Sequence, residues 1–259
     1  MHQAGAGAGL AAALQSPEPE LRTDGRVGPG SQPHATAGRP LVAVLLSLTF
    51  VTGLVDATTY LGLGHVFAAN MTGNIVLLGF ALGGAGKDIS MAASLVSVAG
   101  FVGGAGGGGL LARRLEADRH RWVTTSLVLE TIGLCLAAAG AALAVSGYLI
   151  VAVLALAMGM RNATVRRLGV PDVTTTVLTQ TLVGLAADIA SGAGSTRVSA
   201  RRVAAVLAML VGALAGAFVI GQGLVAPLVV GGSLLALTTA GFAIAGPRHW
   251  RPLPIVAPR

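Results

Sequence analysis

From Leu41 to Gly246 the chain alternates long apolar runs with short polar connections. A helix that crosses a hydrocarbon layer about 30 Å thick needs about 20 mostly apolar residues. Eight stretches qualify as candidates: 41–61, 66–84, 91–112, 123–145, 147–162, 173–191, 203–222 and 225–245. They are rich in Leu and Ala and lack the period-two alternation of a lipid-facing strand, so helices rather than a barrel are predicted. The connections at 62–65 and 146 are tight, and a pair of runs that forms one re-entrant or broken segment lowers the count to six or seven. The predicted fold class is all-α, a polytopic transmembrane bundle of about six to eight spans.

An internal repeat organises these runs. Gly53-Leu54-Val55-Asp56-Ala57-Thr58 returns as Gly159-Met160-Arg161-Asn162-Ala163-Thr164, a shift of 162 − 56 = 106. The next motif, Thr72-Gly73-Asn74-Ile75-Val76-Leu77, returns as Thr179-Gln180-Thr181-Leu182-Val183-Gly184, a shift of 179 − 72 = 107. Two motifs in the same order point to duplication, with a first half at 41–145 and a second at 146–246. Four spans per half would make the halves parallel, and three would invert one relative to the other. Four plus four is the expectation.

Composition agrees with a lipid environment. Charged residues make up 10% of the chain and hydrophobic residues 54%, whereas a soluble domain carries about 25% charge. The lipid bilayer is therefore the expected partner, and a multi-pass place in the cell membrane the expected location. Residues 1–40 read as a leader, because from 15 onward they are rich in Pro, Gly, Ser and charge and offer little surface to bury. The apolar stretch at 4–14 has no preceding cation and is not read as a secretory signal. A short tail covers 247–259.

The net charge of +7 does not indicate a nucleic-acid partner. The cations cluster between apolar runs, at Arg113, Arg114, Arg119 and Arg121, at Arg161, Arg166 and Arg167, and at Arg197, Arg201 and Arg202. That is the pattern of arginines flanking membrane spans.

The motifs also resemble a family. Gly53–Ala57, Phe67-Ala68-Ala69-Asn70-Met71-Thr72-Gly73-Asn74, Gly159–Ala163 and Thr174–Thr179 are similar to the YoaK-type family of uncharacterised bacterial membrane proteins, domain of unknown function 1275. The resemblance covers roughly residues 41 to 245. It implies a multi-pass bacterial membrane protein and names no substrate. One departure is Arg161, where the family pattern leads one to expect Gln.

Ionisable side chains at membrane depth cost about 2.5–3.5 kcal/mol on insertion scales, so Asp56 and Glu130 must face protein or water. Thr52, Asp56 and Tyr60 follow i, i+4 spacing and form one polar stripe, predicted to point inward. Asn70 and Asn74 are spaced likewise, with Gly73 between them as a place where the helix can break. Thr175 with Thr179, and Thr176 with Gln180, repeat the spacing in the second half.

The candidate substrate or proton site is accordingly Asp56, Asn70, Thr72, Asn74, Glu130, Asn162, Thr175, Thr179 and Gln180, with Arg161 or Arg166 as ion-pair partner of Asp56. On eight spans these residues fall in one half of the bilayer and predict a polar vestibule. The competing structural reading has Asp56 accepting hydrogen bonds from a helix end and the hydroxyls joining helices. Asp188, near the end of its run, is expected at the membrane interface.

Small-residue ridges at Gly100, Gly104 and Gly108, and at Gly212 and Gly216, predict close helix packing. His2, His34, His65, His120 and His249 are scattered, no phosphate-binding loop occurs, and Cys135 stands alone without a nucleophile elbow. No metal, cofactor or enzymatic activity is therefore expected. The function expected is a secondary transporter or permease for a small polar solute, proton-coupled through Asp56 with Glu130 as second carboxylate. The alternative is a non-transporting scaffold, sensor or assembly partner.

Overall fold

The computed structural model describes residues 39–86, 88–168, 178–191 and 196–246. They form eight helices: α1 (Arg39–Gly62), α2 (Met71–Leu82), α3 (Met91–Arg114), α4 (Arg119–Ala142), α5 (Gly147–Leu168), α6 (Leu178–Ser191), α7 (Thr196–Val219) and α8 (Val225–Ala245). A 3-10 turn at Ile220–Gln222 follows α7.

Six of these, all but α2 and α6, are long and apolar enough to span a bilayer. The spans run over Leu41–Gly62, Met91–Arg114, Arg119–Ala142, Gly147–Leu168, Val198–Gln222 and Val225–Ala245. The predicted run 66–84 shrinks to the twelve residues of α2, about 18 Å at the α-helical rise and too short to cross. Farther along the chain α6 has fourteen residues, and the start of the predicted run 173–191 lies outside the described residues. The expectation of eight spans is corrected to six among the described residues. The fifth run, expected to end at 162, continues to Leu168.

Large apolar side chains stay on the outside of the bundle, among them Leu143, Phe218, Leu237 and Ile244. Such a surface suits acyl chains and not water. The interior is built chiefly from α1, α4, α5 and α8, whose Leu48, Leu54, Leu134, Leu154, Met158, Leu228 and Leu235 form one buried cluster.

The long helices pair across the middle of the chain, α1 on α7 and α3 on α5, while α4 lies on both α5 and α8. Glycines permit the two crossings. A methyl group at Gly104 would overlap the Leu156 carbonyl, and one at Gly212 would overlap that of Phe50. Both sides of the second contact are offset by nearly the same amount, 212 − 104 = 108 and 156 − 50 = 106. Gly108 against Met160 and Ala163 has the same relation to Gly216 against Leu54 and Ala57. Gly100 lies on Ala152 and Ala155, so all five ridge glycines named from the sequence sit in helix crossings.

Candidate functional site

Between α1 and α2 the backbone leaves the helical path, yet Val66, Ala68 and Ala69 in this stretch are buried. Inside a bilayer no water can satisfy such a segment, so its N–H and C=O groups need protein partners. Side chains supply them. Asp56 Oδ1 accepts from the Ala69 amide at 2.8 Å. Asn74 accepts from the Phe67 amide through Oδ1 at 2.8 Å and donates from Nδ2 to the Phe67 carbonyl at 2.7 Å. Ser97 of α3 donates to the same carbonyl at 2.6 Å and accepts from Asn74 Nδ2 at 3.0 Å.

Asn70 serves a local purpose. Its side chain accepts from the Gly73 amide at 3.2 Å and caps the N-terminus of α2. Tyr60, third in the predicted stripe, stacks on Phe67 with ring centroids 5.0 Å apart. The stripe does point inward at Thr52 and Asp56, 2% and 4% exposed, and Tyr60 is half-buried.

A second polar centre lies where α1, α4 and α5 meet. Arg161 Nη1 donates to Glu130 Oε1 at 2.9 Å, and both side chains are 1% exposed. The same Nη1 donates to the Leu48 carbonyl at 3.1 Å, and Nη2 donates to Thr52 Oγ1 at 2.6 Å. Thr52 Oγ1 in turn donates to the Leu48 carbonyl at 2.8 Å. The guanidinium is thus held by one carboxylate and by one turn of α1. Nearby, Ser126 of α4 and Thr164 of α5 share a hydrogen bond of 2.9 Å, and Thr131 of α4 meets Thr239 of α8 at 3.3 Å.

The ion pair uses only part of its capacity. Arg161 Nε and Glu130 Oε2 are buried without a hydrogen-bond partner. A guanidinium can engage a carboxylate through two parallel bonds, and here it makes one.

The structure therefore divides the predicted site. Asp56, Asn70 and Asn74 gather around the break before α2, while Glu130 and Arg161 form a separate buried centre. Arg161 takes Glu130 as its ion-pair partner, where the sequence pointed to Asp56, and it is no membrane-flanking residue. Arg166 is exposed in the last turn of α5. Thr72, Thr179 and Gln180 are exposed, Asn162 is half-buried, and Thr175 lies outside the described residues. Asp188 pairs with Arg202 at 2.6 Å between α6 and α7, with side chains 27% and 14% exposed.

Sequence reasoning missed Ser97 and the Ser126–Thr164 contact, because single hydroxyls in apolar runs carry no pattern. For Arg161 a signal existed. It falls at 161, inside the predicted run 147–162 and not beyond its end.

Comparison with known proteins matches these features to a family. The model of the protein of unknown function family DUF1275 matches residues 44–241, a range that contains the break before α2, the ion pair and all six spans in whole or in part. The chain belongs to the DUF1275 family. It is 38% identical over 166 residues to the UPF0700 transmembrane protein YoaK of Bacillus subtilis strain 168, covering 60% of this chain and 69% of that protein. No solved structure matches the chain. Family membership and six apolar spans make it a multi-pass membrane protein in contact with the lipid bilayer.

Proposed function

We propose that this protein is a secondary transporter or permease for a small polar solute, with Glu130 and Asp56 as the carboxylates that carry a coupling proton. The observation that carries the reading is the buried Arg161–Glu130 pair, placed in the bundle interior and incompletely hydrogen-bonded. Ionisable groups at such depth are costly and are characteristic of ion and solute pathways.

The order of the helices supports it. Each half reads as a long helix, a short helix and two long helices, with α2 and α6 in corresponding places; α2 is apolar, and α6 is more polar, carrying Gln180 and Asp188. Short hydrophobic segments at matching positions of two halves are a pointer to a transporter's binding region. With three spans per half, the proposed duplication becomes an inverted one, in which α2 and α6 enter the membrane without crossing it. The matched glycine contacts and the Thr131–Thr239 contact, offset by 239 − 131 = 108, support such two-fold symmetry.

Osmotic swelling of proteoliposomes tests the proposal. With urea, acetamide, glycerol and small neutral amino acids as solutes, at least one should enter wild-type vesicles faster than protein-free ones. Glu130→Gln should abolish pH-driven uptake, and Asp56→Asn should do the same while leaving the fold intact. Unchanged permeability across the whole panel would favour a non-transporting scaffold or sensor, a role in which Asp56, Asn74 and Ser97 simply hold the backbone.

A further inference from the structure

Contacts between the helices fix which of their ends lie together. Gly100, Gly104 and Gly108 of α3 meet Ala152, Leu156 and Met160 of α5 in the same order, so these two helices run parallel. Phe50 and Leu54 of α1 meet Gly212 and Gly216 of α7 in the same order, and this pair is parallel too. α4 runs against both of its neighbours. Ser126 meets Thr164 of α5 and Glu130 meets Arg161, while His120 stacks on Phe242 of α8 and Thr131 meets Thr239. The end of α1 lies beside the start of α3, where the Ser90 amide donates to the Gly64 carbonyl at 3.2 Å and His65 Nδ1 donates to the Asp88 carbonyl at 3.0 Å.

One end of the bundle therefore gathers the starts of α1, α4 and α7 with the ends of α3, α5 and α8. The opposite end gathers the other terminus of each. At the first end Arg119 Nη2 donates to the Leu168 carbonyl at 2.7 Å and ties the start of α4 to the end of α5. The short α6 belongs to this end, since its Asp188 pairs with Arg202 near the start of α7. The break before α2 belongs to the opposite end, beside the first turns of α3, where Asn74 and Ser97 meet.

Cations separate along the same division. Arg113 and Arg114 close α3, Arg119 and Arg121 open α4, Arg166 and Arg167 close α5, and Arg197, Arg201 and Arg202 lie in the first turns of α7. Arg39 opens α1 at the same end. At the opposite end the described residues include no Lys or Arg, and the sequence there adds only Lys87, which lies outside the described residues. Glu116, Asp118 and Asp188 share the arginine end, but carboxylates weigh little in setting membrane orientation.

Arginines in short connections are retained on the cytoplasmic side when a membrane protein inserts. The negative surface potential of the cytoplasmic leaflet favours the same placement. We propose that the arginine end is the cytoplasmic face of this protein, that its arginines set this orientation, and that the break before α2 faces the outside. The assignment holds whether or not the protein transports a solute. On the transport reading it means that α2 is approached from outside and α6 from the cytoplasm.

Cysteine labelling of the full chain in bacterial spheroplasts tests the orientation. The exposed Cys135 is first replaced by Ala, and single cysteines are placed at exposed connection residues, Ala117→Cys at the arginine end and Ala85→Cys or Ser146→Cys at the opposite end. An impermeant maleimide should label Ala85→Cys and Ser146→Cys in intact spheroplasts, and Ala117→Cys only after lysis. The reverse pattern would overturn the proposal, and so would labelling of both ends from outside. Combining Arg113→Gln, Arg114→Gln and Arg121→Gln with Ala85→Lys and Ser146→Lys should expose Ala117→Cys to the outside in part of the molecules. Unchanged labelling in that variant would overturn the role of the arginines. Solute flux plays no part in this readout, so a failed swelling assay would remove the transport reading and leave the orientation standing.

Discussion

Arg161 and Glu130 meet at 2.9 Å in the interior, one from α5 and the other from α4. This contact and the bonds from Arg161 to Leu48 and Thr52 tie three helices together at one guanidinium. A buried pair of this kind recovers in attraction only part of what desolvation costs, so it is weak evidence for stability. Its presence in the bundle interior calls for another explanation, and the transport reading proposed above supplies one.

Removing one partner should therefore be far worse than removing both. Arg161→Gln alone leaves Glu130 without its cation, and an expected loss of about 3–5 kcal/mol follows from stranding a buried charge. The double variant Arg161→Met, Glu130→Leu should unfold at or above the wild-type temperature in detergent, and have no solute binding. A double variant as unstable as the single one would show that the pair itself holds the fold.

Asp56 should respond to the shape of its replacement. Asn at this position retains an oxygen for the Ala69 amide, whereas Ala strands that amide in a buried segment at about 1–3 kcal/mol. Thermal unfolding and amide exchange at Ala69 measure the difference, with Asp56→Ala losing protection and Asp56→Asn keeping most of it. Equal behaviour of the two variants would detach Asp56 from the backbone of the break.

The glycine crossings predict paired sensitivities. Gly104→Ala and Gly212→Ala drive a methyl group into the Leu156 and Phe50 carbonyls, and each should destabilise by about 1–3 kcal/mol as overpacking does. Gly106→Ala, with open space within 4 Å, should be tolerated and favours the helix by up to about 1 kcal/mol. Thermal unfolding in one detergent suffices for the comparison. A tolerant Gly104 or Gly212 would mean that the helices cross elsewhere.

Accessibility tests the vestibule. The native Cys135 is exposed and has to be replaced by Ala first. On that background Asn70→Cys and Asn162→Cys should react with an impermeant maleimide from one membrane face only. Protection of both from either face would discard a water-filled approach to the site.

How far the sequence could be read depended on whether neighbours in space were also neighbours in the chain. The stripe of Thr52 and Asp56 and the close packing at Gly104 and Gly212 were legible, because helical spacing alone puts residues on a face. The shortness of α2 was only half legible. Its apolar composition continues into 66–70, and what ends the helix at Met71 is a set of side-chain hydrogen bonds from Asp56, Asn74 and Ser97, drawn from three different helices. Arg161 misled for a related reason. An arginine near the end of an apolar run has the local signature of a membrane edge, and only Glu130, thirty-one positions earlier, makes it an interior residue.

By itself the sequence determined that hydrocarbon is the solvent and that helices are the elements, since a long apolar run can satisfy its backbone there only by local, i to i−4 hydrogen bonds. It also placed the costly polar groups, because their expense in lipid does not depend on what surrounds them. The tertiary structure decided which runs cross, which carboxylate meets the arginine, and which polar atoms stay open. Those outcomes are set by contacts between residues far apart in the chain, whose geometry no local pattern records.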